Sequence, residues 1–171
     1  MINNIIKYDV IVIGAGPSGV SSAINCAKKG LKVLIVDSNS SAGGQIYRAP
    51  PKTYKNVPQK KLVENEIQKK LCLEVKKFQI ETAYNHTVWQ VSPGFKVNAF
   101  NDLSTIQWET KSLIVATGTY EKIIPFEGWT IPGVIGLAAC TVMLKSHHFI
   151  PSNKVVLAGN GPLLMLVAHY I

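Results

Sequence analysis

Arginine is nearly missing from this sequence: of 18 basic residues only Arg48 is an arginine, against ten acidic ones. A nucleic-acid reader mixes arginine forks with aromatic stacking residues. Eight lysines lie between Lys52 and Lys77, but Glu64, Glu66 and Glu74 are interspersed, so the stretch reads as the solvated face of a helix. No nucleic-acid partner is expected. Cysteine is equally sparse. Cys26, Cys72 and Cys140 form no CxxC and no Cys–His cluster, which leaves a zinc site and a sequence-local redox dithiol without support. Cys26 is expected on the core face or edge of the first helix, as a reduced thiol. Adjacent residues on a helix do not converge on one point, so His147-His148 is not read as a metal site. His86 and His169 stand isolated, and no metal is expected. No apolar run reaches the roughly 18 residues of a membrane helix. Val134 to Leu144 is too short and contains Thr141. The first eight residues lack a secretory signal, so the expected location is the cytoplasm, with membrane association through partner subunits left open. Charged residues make up 16% and hydrophobic ones 47%, an ordinary globular composition.

The opening is far more informative. Tyr8-Asp-Val-Ile-Val-Ile13 is a short β-branched run, as expected for a strand buried on both faces. It runs into Gly14-Ala-Gly-Pro-Ser-Gly19, a GxGxxG. Val20, Ala23, Ile24 and Ala27 then mark one helical face, with Pro17 near its start and Gly30 at its end. A second strand, Lys32-Val-Leu-Ile-Val-Asp37, closes a βαβ unit in an acid. Gly14 permits the turn, Gly16 leaves room for a pyrophosphate at the backbone amides, and Gly19 lets the helix pack closely on the sheet. Pro17 and Ser18 complete the phosphate loop at the helix N-terminus, where unpaired N–H groups favour anions. Asp37 can accept hydrogen bonds from both ribose hydroxyls of an adenosine, and its charge disfavours a 2′-phosphate. The unit reads as dinucleotide-binding, without separating FAD from NAD.

Ser41-Ala-Gly-Gly-Gln-Ile-Tyr-Arg48 follows directly. Pro50 to Pro58 is polar and reads as a loop, and Gln59 to Cys72 carries Val63, Ile67 and Leu71 at helical spacing. The runs Thr87–Val91, Phe95–Phe100 and Thr105–Glu109, separated by Pro93-Gly94 and Asn101-Asp102, predict a small antiparallel meander. Trp89 and Trp108 are expected to pack within it. Another buried strand, Ser112 to Ala116, ends in Thr117-Gly118. With its glycine pair after the acid and its Ala-Thr-Gly element, the chain resembles the two-dinucleotide-binding-domain flavoproteins of the glutathione-reductase-like superfamily. Gly-Gln-Ile-Tyr-Arg and Ile124-Pro-Phe-Glu-Gly-Trp-Thr-Ile-Pro-Gly-Val134 narrow this to the FAD subunits of opine oxidases, hydrogen cyanide synthase and related amino-acid dehydrogenases. The resemblance runs from about Lys7 to the end.

The implied fold is α/β, a Rossmann-like FAD/NAD(P)-binding three-layer fold with a small antiparallel β insertion. Residues 1–130 would be the FAD-binding domain, with the insertion at about 84–110, and Gly128, Trp129, Pro132 and Gly133 would form a hinge, with core packing the alternative role for Trp129. Residues 131–171 would begin a second nucleotide-binding domain. Gly133 to Phe149 is read as a helix, Lys154-Val-Val-Leu-Ala158 as a third buried strand, and Leu163 to Ile171 as an apolar helix lacking a partner to cover it. Between the last two lies Gly159-Asn-Gly161, part of a GxGxxL in which Leu164 replaces the packing glycine. With no second strand and no ribose acid after it, the sequence is read as a fragment or truncated product, less stable and stickier than its parent.

The resemblance implies FAD as cofactor, with Gly43, Gly44, Gln45, Thr117 and Gly118 beside it and NAD(P) at Gly159 and Gly161 as a secondary expectation. Arg48 could pair with a phosphate or substrate carboxylate, or lie at the surface. The implied activity is oxidation of the C–N bond of a small amine (an amino acid, imino acid or opine), with electrons passed to partner oxidoreductase subunits. No catalytic acid or base is identified. The alternatives are a pyridine-nucleotide disulfide reductase and a non-catalytic nucleotide-binding remnant.

Overall fold

The computed structural model describes residues 5–48, 63–147 and 154–171. They fall into two compact units, the first comprising residues 5–47 and 63–118, the second residue 48 with residues 119–147 and 154–171.

The first unit is a six-stranded sheet. Its elements are β1 (Ile6–Ile13), α1 (Pro17–Ala27), β2 (Val33–Asp37), α2 (Val63–Lys77), β3 (Glu81–Tyr84), β4 (Thr87–Ser92), β5 (Lys96–Phe100) and β6 (Thr105–Val115). The strand order is β3-β2-β1-β6-β5-β4. β1 pairs in parallel with β2 and β6, and β2 with β3, whereas β4, β5 and β6 run antiparallel. Apolar residues cover both faces of the parallel part. On one face Val10, Val12, Val33 and Ile35 pack with Val20, Ala23 and Ile24 of α1 and Val75 of α2. On the other, Ile11, Leu34 and Val36 pack with Val97, Ala99 and Trp108. The antiparallel strands thus curl over the back of the parallel sheet, with β4 against β2. Three layers result: helices, parallel sheet and meander. Ile11 and Ile35 are fully buried, each contributing about 2 kcal/mol by transfer from water.

The strand ending in Ala-Thr-Gly and the last meander strand are not separate. Both belong to β6, whose first half pairs with β5 while its residues from Trp108 onward pair with β1, from Ile6↔Trp108 to Ile13↔Val115. Trp108 is buried at this junction, but Trp89, expected to pack, is 58% exposed. β3 escaped the sequence reading because only Ala83 of its four residues is buried. His86 is not isolated. Its Nδ1 lies 2.7 Å from the Tyr84 carbonyl oxygen and its Nε2 lies 3.1 Å from Asn101 Nδ2, tying two turns together. Of the loop expected at 50–58 nothing is described, and the helix expected from Gln59 is described from Val63.

In the second unit α3 (Leu137–His147) packs on α4 (Pro162–Tyr170) through Cys140, Leu144 and Val167. The apolar helix expected to lack a partner therefore finds one, although Leu163, Met165 and Leu166 stay exposed. Glu121 Oε2 accepts the Ala138 N–H at the start of α3 (3.2 Å). Lys154–Ala158 is not a buried strand. Val155, Val156 and Leu157 are exposed, and no strand lies beside them among the described residues of this unit. A strand requires a hydrogen-bonded neighbour, which explains the difference. His148 lies outside the described residues. Among them, no helix is long and apolar enough to cross a membrane.

Candidate cofactor site

The turn out of β1 is built by close backbone contact. Gly14 has φ +107°, and a Cβ there would lie 2.2 Å from the Ala116 carbonyl oxygen. The loop therefore presses against the end of β6, where the Ala116 N–H donates to the Ile13 carbonyl (2.8 Å). A Cβ on Gly19 would lie 1.9 Å from the Gly14 carbonyl oxygen, so α1 packs against its strand at a distance only glycine permits. Gly16 is the N-cap of α1, extended at φ −70°, ψ 178°, with Pro17 behind it. No side chain caps this helix and no acid lies in its first turn. The first helical bond runs from the Val20 N–H to the Gly16 carbonyl (3.0 Å). The N–H groups of Ser18 and Gly19 thus stand at a positive helix end with no side-chain acceptor. Beyond its chain neighbours, a Cβ added at Gly16 would meet only the Gly44 Cα, at 3.9 Å, among the described residues, so this face of the turn is open.

The glycine pair after β2 is stitched to this turn. The Gly43 N–H donates to the Ala15 carbonyl (2.9 Å), and a Cβ on Gly44, at φ +62°, would lie 2.8 Å from Gly16 Cα. From below, Gln68 Nε2 of α2 donates to Ser41 Oγ (3.0 Å), and Cys72 Sγ lies 4.0 Å from the Ala42 carbonyl oxygen. Ala15 and Ala42 are buried between the two loops, whereas Gln45 is exposed at their rim.

Asp37 ends β2 half-buried. Its Oδ2 accepts the Ala15 N–H at 2.5 Å, and its Oδ1 accepts both the Asn39 N–H (2.7 Å) and Asn39 Nδ2 (2.8 Å). Tyr84, opposite Asp37 on β3, has its hydroxyl pKa pushed up to about 12, chiefly by burial and then by the neighbouring Cys72 and Asp37. Ala15, Asn39, Ser41, Gln68 and Tyr84 were not singled out from the sequence. Ala15 is the variable residue of GxG, and the others belong to no recognisable spacing.

Gly14, Gly16, Pro17, Ser18, Gly19, Asp37, Gly43 and Gly44 thus share one loop cluster at the carboxyl end of the parallel strands. Thr117 and Gly118 continue from β6 beside it, both exposed, with Thr117 N 3.2 Å from the Cβ position of Gly14. An open turn, uncapped amides and a carboxylate at the next strand end fit the diphosphate and ribose of a dinucleotide. The cluster supplies binding groups rather than a proton-transfer pair.

The second unit holds Arg48, half-buried, which takes no part in the ion pairs of the described residues. It also holds Gly159 (φ +145°) and Gly161, the extended N-cap of α4, again without a side-chain cap and followed by Pro162. Leu164 Cδ2 lies 3.7 Å from the Cβ position of Gly159. This turn repeats the layout of the first, without the flanking strands among its described residues.

Residues 8–170 match the family model described as pyridine nucleotide-disulphide oxidoreductase. An opine oxidase subunit of Agrobacterium tumefaciens (strain Ach5) is 34% identical over 96% of the chain and 34% of its own length. The hydrogen cyanide synthase subunit HcnB of Pseudomonas protegens is 29% identical over 92% of the chain and 34% of its own length. The chain thus spans about a third of the length of these curated relatives. In fold it is similar to L-proline dehydrogenase from P. horikoshii, with a TM-score of 0.65 and 19% identity over 84% of this chain and 29% of that one.

Proposed function

Since the chain belongs to the pyridine nucleotide-disulphide oxidoreductase family, whose members bind FAD and NAD(P), we propose that its first unit holds FAD for a subunit that oxidises a C–N bond. The observation that carries this reading is the stitching of Gly43-Gly44 onto the Gly14–Gly19 turn. It leaves the open side of Gly16 and the uncapped start of α1 as a cradle for a diphosphate. In this reading Ser18 and Gly19 donate their N–H groups to the phosphates, and Asp37 accepts from the adenosine ribose. Gly44, Gln45, Thr117 and Gly118 border the path of the cofactor. Bound FAD supplies two-electron oxidation, in which a substrate amine C–N bond becomes C=N. The chain's own residues bind and orient; no residue is assigned to proton transfer. Gly159 and Gly161 of the second unit offer a second uncapped helix start, suited to the diphosphate of NAD(P).

The substrate class follows the relatives. The opine oxidase and hydrogen cyanide synthase relatives are both named as subunits. The name opine oxidase supports an opine, or a related small amino or imino acid, as substrate, and the subunit names support electrons passed on to another subunit. Anaerobic titration of the FAD-loaded chain, with its partner subunits supplied, tests this. Bleaching of the flavin bands by an opine or amino acid is expected. Bleaching by NADPH alone, coupled to reduction of a disulfide substrate, would replace it with the disulfide-reductase reading.

A further inference from the structure

Asp37 is not free to take both hydroxyls of a ribose. A carboxylate offers about four lone-pair positions, two on each oxygen. On Oδ1 both are taken, by the backbone N–H and the side-chain Nδ2 of Asn39 at 2.7 and 2.8 Å. On Oδ2 one is taken by the Ala15 N–H at the glycine turn. One position remains, and a vicinal diol brings two donors.

The orientation of the Asn39 amide is fixed by chemistry. Its nitrogen must face Asp37, because a carboxylate accepts and cannot donate. Asn39 Oδ1 is therefore the other arm of an amide already anchored to Asp37. No hydrogen bond of the described residues ends on it, and the residue is half-buried. The backbone holds the segment in place as well: the Asn39 carbonyl accepts the Asn85 N–H (3.1 Å), and the Asp37 carbonyl accepts the His86 N–H (3.0 Å). Two acceptors, Asp37 Oδ2 and Asn39 Oδ1, thus stand on one rigid strand end.

We propose that Asp37 and Asn39 together form the ribose clamp, each accepting one hydroxyl of the adenosine diol, so that Asn39 determines selectivity for an intact ribose. This rests on the reading that the first unit binds a dinucleotide. Asn39 has a second role as a positioning residue, since its two donors fix the rotamer of Asp37. An acceptor pair of this kind has no donor for a 2′-phosphate, and it penalises a sugar lacking either hydroxyl because one half-buried acceptor then loses its partner.

The test is calorimetric titration of the full chain and its Asn39→Ala variant with ADP, 2′-deoxy-ADP and 3′-deoxy-ADP. The wild-type chain is expected to bind ADP about tenfold more tightly than either deoxy analogue. In N39A, ADP should weaken about tenfold and discrimination against one analogue should vanish while the other is still discriminated. A wild-type chain that discriminates against only one analogue overturns the clamp, whatever the variant does. So does an N39A chain that keeps both discriminations, or loses affinity for all three nucleotides equally, as a merely structural role would cause. A wild-type chain that binds neither ADP nor FAD overturns the dinucleotide reading itself, and the clamp with it. If N39A fails to fold, as judged by circular dichroism, Asn39→Leu, of similar size and without an acceptor, decides with the wild-type series: loss of one discrimination supports the clamp, and retention of both overturns it.

Discussion

A methyl group added at Gly19 would sit 1.9 Å from the Gly14 carbonyl oxygen, and neither backbone can yield without separating α1 from β1. Gly19→Ala is therefore expected to cost at least about 2 kcal/mol, read as a fall in the midpoint of urea unfolding; an unchanged midpoint would contradict the packing role. The role of Gly19 was legible in the sequence because its spacing from Gly14 is that of a strand–turn–helix. Nothing comparable marked Asn39, whose contact with Asp37 is local but belongs to no motif, or Gln68, which meets Ser41 only where the chain comes back on itself. Alkaline pH offers a second test at this scale. Burial, a hydrogen bond to Glu81 (2.7 Å) and the charge of Glu81 raise the Tyr8 hydroxyl pKa, and burial raises that of Tyr84 to about 12. In the unfolded chain both titrate near the ordinary tyrosine value of 10.0. The folded state thus favours the neutral form, so this stability is complete below about pH 10 and lost as pH rises through 12. Melting temperatures measured from pH 7 to 12 should fall above pH 10, and less steeply in Tyr8→Phe. An identical fall in the variant would show that Tyr8 does not contribute.

Among the elements, β6 decides how the meander joins the sheet, and Trp108 is its buried anchor. Trp108→Ala is expected to cost about 3–5 kcal/mol in urea unfolding, whereas Trp89→Ala, at a side chain 58% exposed, should stay within about 1 kcal/mol. Equal costs would mean that the meander packs differently. The sequence pattern found β1, α1, β2 and three runs of the meander, because buried strands and an amphipathic helix carry strong periodicity. It divided β6 in two, since Thr110 and Lys111 interrupt the apolar pattern although the backbone ladder with β1 runs straight past them. The four-residue edge strand β3 buries only Ala83 and carries no periodicity to detect. Lys154–Ala158 failed in the opposite direction. Its composition suits a strand, but pairing is a property of neighbours, and composition does not supply them.

At the scale of the whole molecule the two units differ in kind. The first closes a core on both faces of its sheet, whereas among the described residues of the second three buried apolar residues pack between two helices. The binding reading is lodged in the first unit, and its central element is the open side of Gly16. That position permits a clean separation of binding from folding. Its backbone is extended, at φ −70°, ψ 178°, and beyond its chain neighbours an added Cβ would find only Gly44 Cα, at 3.9 Å, among the described residues. Gly16→Ala should therefore leave stability unchanged or raise it slightly by restricting the unfolded chain, while the methyl group occupies the approach of a diphosphate to the amides of α1. The measurement is the visible absorption spectrum of the full chain and of Gly16→Ala after incubation with FAD and desalting, beside a thermal melt of each. Flavin bands retained by the wild-type chain and lost by an equally stable variant are the predicted result. Equal retention by both chains would contradict the placement of the cofactor at this turn.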